Sequence, residues 1–77
     1  MMVRVKTQIT QEMIDAVFSD TKLLKRFPRP QMAKAVCEMR VAGETYADIA
    51  TRCKASNYYC MQAVDKVVRL YTVFIER

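Results

Sequence analysis

From Cys60 onward the apolar residues Ala63, Val64, Val67, Tyr71 and Phe74 recur at spacings of three and four. That spacing brings side chains to one face only in an α-helix, where residues three and four apart lie one above the other. Met13, Ile14, Val17 and Phe18 make a second such stripe, and Met32, Ala33, Val36, Met39 and Val41 a third. One glycine and two prolines in 77 residues are too few for the many corners of a β-sandwich or barrel. An apolar content of 52% with 27% charged residues belongs to a folded chain, and the length serves one core, not two. The expected fold is all-α: a compact bundle of about five helices over residues 9–77, preceded by an arm of residues 1–8.

Helix ends are marked by residues that can satisfy orphan backbone groups. The Thr10 hydroxyl can accept from a first-turn amide and Glu12 suits the positive helix end, so helix one is expected over residues 10–19. Asp20 or Thr21 can cap a turn or two over residues 22–27, which Pro28 and Pro30 must close because proline disfavours α geometry in the residue before it. Pro30 suits a first helical position and Gly43 a left-handed C-cap, giving helix three over residues 30–42. Thr45 with Asp48 resembles a capping box that opens helix four at Tyr46, Lys54-Ala55 is a break, and Ser56 caps a long helix five. The arm, with Arg4 and Lys6, has neither periodicity nor a cap.

Several function classes are disfavoured. The chain has no histidine, which removes the commonest general base and the Ser-His and Cys-His nucleophile pairs, and it has no glycine-rich phosphate loop. No enzyme, no cofactor and no small-molecule substrate are expected. Cys37, Cys53 and Cys60 lie 16 and 7 residues apart without a C-x-x-C pair, so they read as reduced, buried hydrophobes and not as metal ligands. No apolar run approaches the roughly 20 residues needed to span a bilayer, and the N-terminus is polar where a signal peptide is apolar. A cytoplasmic protein with no membrane partner is expected. Thirteen Lys and Arg against eight Asp and Glu, net charge +5, favour an anionic partner.

Residues 45–70 carry the sharpest functional pattern. Two helices meeting at a sharp angle need a small residue where their backbones approach, apolar residues inside the corner and a polar cap releasing the second helix. Ala50 is the small residue, Ile49, Cys53, Ala55, Cys60 and Ala63 the interior, and Ser56 the cap. Lys54 stands where such a turn often has glycine, since that residue commonly takes positive φ. In a DNA-binding helix-turn-helix the first turns of the second helix enter the major groove, which makes Asn57, Tyr58, Met61, Gln62, Asp65, Lys66 and Arg69 the outward candidates. Asn57 and Gln62 can pair bidentately with adenine, Lys66 and Arg69 suit phosphates, and Tyr58 suits a thymine methyl or a phosphate. Ser56, Arg52 and Lys54 flank the turn as further contacts. Lys22, Lys25, Arg26 and Arg29 form a second basic cluster suited to the DNA backbone, whereas Glu44 and Asp48 repel phosphate at the front of helix four. A solvated polar face on an ordinary helical bundle is the alternative meaning of the same residues.

The segment Gly43-Glu44-Thr45-Tyr46-Ala47-Asp48-Ile49-Ala50-Thr51, followed by Gln62-Ala63-Val64-Asp65-Lys66-Val67, resembles the DNA-binding part of the KorA/TrfB repressors of conjugative plasmids. Ile9-Thr10-Gln11 is similar to that family's start, so the likeness covers most of residues 9–71, although helices two and three match only in pattern. A weaker likeness, through Arg52, Asn57-Tyr58-Tyr59 and Ala63, runs to the PapB-type regulators of fimbrial operons. The first resemblance implies a dimeric repressor of plasmid conjugation or maintenance genes on a palindromic operator. It gives base reading to Gln62 and a basic contact one turn on to Lys66. Asn57 and Asp65 replace residues that are often basic, or basic or aromatic, in that family, so a different operator is expected.

The chain given ends at Arg77, without room for the separate dimerisation domain of those repressors, so dimerisation is expected within the bundle. Val67, Val68, Leu70, Tyr71, Val73, Phe74 and Ile75 make the end of helix five apolar nearly all round. Val68, Tyr71, Phe74 and Ile75 are therefore expected to form a two-fold interface, the alternative being that they cover helices one and three of the same subunit. Double-stranded DNA and a second copy of the chain are the expected partners. A plasmid- or phage-encoded module binding RNA polymerase or another regulator is the alternative function.

Overall fold

The Thr10 hydroxyl accepts from the Met13 amide at 3.3 Å and opens α1 (Gln11–Phe18). The structure, a computed structural model, describes residues 8–76; the expected arm, Arg4 and Lys6 included, falls almost wholly outside the described residues. The Asp20 carboxylate caps α2 (Thr21–Leu24) by accepting from the amides of Lys22, at 2.8 Å, and Leu23, at 3.3 Å. Proline at its first turn, where an amide would lack a partner anyway, starts α3 (Pro30–Val41). Thr45 caps α4 (Tyr46–Cys53) through the Asp48 amide at 3.2 Å, and Ser56 caps α5 (Asn57–Leu70) through the Tyr59 amide at 3.0 Å. The chain then continues α5 as a π-helical segment, Tyr71–Glu76. There is no strand among the described residues, and the all-α expectation holds, with α1, α3 and α4 ending within one residue of those read from the caps and α2 stopping three residues short of its expected end.

Two helices end in the same way. After α3, Gly43 takes φ +99°, with its amide donating to the Arg40 carbonyl at 3.0 Å and the Glu44 amide to the Met39 carbonyl at 3.2 Å. After α4, Lys54 takes φ +55°, its amide reaching the Thr51 carbonyl at 3.4 Å and the Ala55 amide the Ala50 carbonyl at 2.9 Å. Both are Schellman closures, which satisfy the last carbonyls by turning one residue left-handed. The second puts a lysine where its Cβ crowds the backbone, at a cost of about 1–2 kcal/mol. Lys54→Gly relieves that strain but frees the unfolded chain by about 0.4–1 kcal/mol. The expected net gain is about 0.5–1 kcal/mol, a rise of a few degrees in Tm by thermal unfolding; an unchanged or lower Tm would show that Lys54 is held there without strain.

α5 is the central helix. It packs against α3, α4 and α1, and its π-helical end returns to α1. Ile14 and Val17 from α1, Val36 and Cys37 from α3, Ile49 from α4, and Cys60 and Val67 from α5 are fully shielded from solvent. Leu23 and Phe27 close one edge, where the Phe27 ring lies 4.9 Å from that of Phe18, a spacing typical of paired aromatics. No polar or charged residue is buried among those described. Cys37 and Cys60 are buried as expected, while Cys53 is half-buried. No helix among the described residues is long and apolar enough to cross a membrane.

Burial, reinforced by the charge of Glu38, pushes the Cys37 thiol from 9.0 up to about 12. The folded state therefore holds this proton after the unfolded chain has released it. The associated stability is fully present below pH 9 and falls as pH rises toward 12, by up to about 1.4 kcal/mol per pH unit. Urea midpoints measured at pH 8 and pH 10 should show that fall in the parent chain and a flatter one in Cys37→Ala. Equal slopes would place the titration elsewhere.

Candidate nucleic-acid interface

Because α5 supplies the core from one side only, it divides lengthwise. Cys60, Ala63, Val64, Val67 and Leu70 face inward, and Tyr58, Met61, Gln62, Asp65 and Arg69, again three and four apart, are exposed on the opposite side. Asn57 is exposed at the first helical position and Ser56 caps it. Arg52 and Lys54, at the end of α4, are exposed across the three-residue turn from that first turn of α5. Of the nine residues singled out for DNA contact, eight are exposed.

The exception is Lys66, which is half-buried and committed elsewhere. Its ammonium donates to the Arg26 carbonyl just past the end of α2 and sits 5.0 Å above the Phe27 ring. It thus satisfies a carbonyl that the short helix leaves open and gains a cation–π contact. A phosphate would have to compete with both. The partner lies 40 positions back in the chain, outside any periodic rule, so the sequence carried no signal for it.

Two other cations are held in loose ion pairs. The Arg52 guanidinium lies 3.3 Å from Glu44 and that of Arg69 lies 3.2 Å from Asp65, all on open surface except Glu44, whose second carboxylate oxygen is buried without a hydrogen-bond partner. Exposed pairs of this kind contribute about 0–1 kcal/mol each and exchange readily for phosphate. Arg40 donates to the Glu44 carbonyl at 2.8 Å and stacks 4.4 Å over the Tyr46 ring, fixing the loop before α4. Glu44 and Asp48 line a shallow depression with Thr51 and Arg52, an acidic border beside the basic turn.

Lys22, Lys25, Arg26 and Arg29 are exposed around α2 and the loop after it, with Arg26 5.2 Å over the ring of Phe74. The four residues expected at a dimer interface separate into two groups. Val68 and Tyr71 are half-buried and pack on the chain's own core, whereas Phe74 and Ile75, with Val73, are exposed. Compared with protein-family models, with curated proteins and with solved structures, the chain matches none.

Proposed function

We propose that this chain is a sequence-specific DNA-binding regulator that inserts the first turns of α5 into the major groove. The observation that carries the reading is the exposed edge formed by Asn57, Tyr58, Met61 and Gln62 on a helix whose other side is locked into the core. Groups on a rigid helix can present hydrogen bonds to base edges without first being ordered, and Asn and Gln have the bidentate geometry for adenine. Arg52 and Lys54 stand where phosphates would flank the groove, with Arg69 further along the same face and Lys22, Lys25 and Arg29 on a neighbouring surface.

The regulator acts as a dimer on an inverted repeat. Val73, Phe74 and Ile75 lie at the end of α5 remote from its DNA-facing turns, so a two-fold contact there, backed from within by Val68 and Tyr71, sets the spacing of two reading heads. The likeness to plasmid repressors makes repression of plasmid genes, inside the cytoplasm, the corresponding role. The same exposed apolar end supports a second reading, a module docking on RNA polymerase or another regulator.

Selection of random duplexes on the purified protein tests the two. Enrichment of an inverted repeat, bound more weakly as salt rises with a log–log slope of about −0.9 per phosphate neutralised, is the expected result. Failure to enrich any sequence, or binding to a protein partner that is indifferent to salt, favours the second reading.

A further inference from the structure

We infer that the exposed pair Tyr58 and Met61 reads the C5-methyl group of a pyrimidine in the operator, an inference that rests on the DNA-binding reading above. Tyr58 is 71% exposed and Met61 51%, among the most exposed large apolar side chains of the described residues. Three positions apart on one helix face, they adjoin each other over the first turns of α5. The fold does not use either. The adjacent aromatic, Tyr59, packs against the core, as Cys60 does, so the outward pair is surplus to the packing of α5.

What such a pair can recognise is limited by what the groove offers. Base edges in the major groove present hydrogen-bonding groups and one kind of apolar group, the methyl at C5 of thymine. A thioether and a phenol ring are suited to that methyl: the first is polarisable and adaptable, the second broad and flat. Gln62 lies one turn from Tyr58 and next to Met61, and Asn57 precedes them. An A·T pair shows an amide-matching adenine edge and a thymine methyl side by side, so the amide and apolar groups on this face suit the same or adjacent base pairs. A methylated cytosine carries the same C5-methyl and is the other source of this chemistry.

Deoxyuridine separates the methyl from everything else, because it keeps each hydrogen-bonding group of thymine. In the operator obtained by selection, thymine is replaced by deoxyuridine one position at a time, and affinity is measured for the full chain and for a Tyr58→Ala, Met61→Ala double variant, whose exposed sites leave the fold intact. The expected result is a loss of about three- to tenfold at one or two positions in each half-site, absent in the double variant. A parallel series placing cytosine or 5-methylcytosine at those positions identifies the source: recovery of affinity by the methylated base alone marks a methyl read regardless of pyrimidine, and no recovery marks thymine. If uracil-containing operators bind as tightly as the parent, or the loss persists in the double variant, the inference falls while the DNA-binding reading stands. If selection yields no operator, both fall.

Discussion

Ile49→Ala is expected to cost about 3–4 kcal/mol and to lower the melting temperature by more than about 10 °C. Ile49 is fully shielded and is the only large aliphatic side chain that α4 places in the core, where that helix meets α3 and α5. Ala50 beside it is too small to hold the helix alone. Truncation removes about three methylene equivalents of burial and leaves a cavity that the packed helices α3 and α5 cannot collapse around freely. A domain of this length has total stability of only about 4–12 kcal/mol, so the variant is near the edge of folding at 37 °C. Thermal unfolding followed by circular dichroism checks it, with Ile49→Val, at about 0.5–1.5 kcal/mol, as the graded control. A loss below about 1 kcal/mol would mean that α4 is seated by something other than this side chain.

The second large effect is on recognition. Gln62→Ala is expected to melt at the parent temperature, because the side chain is exposed and has no hydrogen-bond partner among the described residues. Yet it should lose about 5- to 150-fold in preference for the selected operator over scrambled DNA, the equivalent of about 1–3 kcal/mol for one bidentate base contact. Arg52→Ala should instead weaken binding to both DNAs alike and reduce the salt slope by about one, as a phosphate contact does. Unchanged preference in Gln62→Ala would remove base reading from that residue and leave it as part of a solvated face.

Most of the fold was legible in the residues, since the signals were local. Four of the five α-helix starts are marked by a side chain that reaches an amide two or three positions on, as Thr10, Asp20, Thr45 and Ser56 do, and α3 by its proline. The stripes at spacings of three and four identified the buried faces of α1 and α5, because a helix turns each side chain by a constant angle. They failed at Phe74, which continues the α5 stripe but is exposed in the segment Tyr71–Glu76, and Val41, read as part of the α3 stripe, is exposed at that helix's last position.

The candidate site was half legible. Which residues of α5 face outward follows from which face inward, so Asn57, Tyr58, Met61, Gln62 and Arg69 could be named from the pattern alone. Arg52 was named too, but not its ion pair with Glu44, which depends on how the loop after α3 brings an acid back alongside α4. The turn was placed at the right residues, with Lys54 where a glycine is usual, whereas that Lys54 itself takes the left-handed conformation, φ +55°, is a finding of the structure.

Local interactions, within a few positions along the chain, were enough to give the five α-helices, the caps of four of them and the division of α5 into inner and outer faces. Packing between segments far apart in the chain set the rest: Lys66 turns to the Arg26 carbonyl and the Phe27 ring, Val68 and Tyr71 pack against the chain's own core, and Val73, Phe74 and Ile75 remain on the surface. The reason is geometric: a local pattern gives the direction a side chain points, but what it meets there depends on segments distant in the chain.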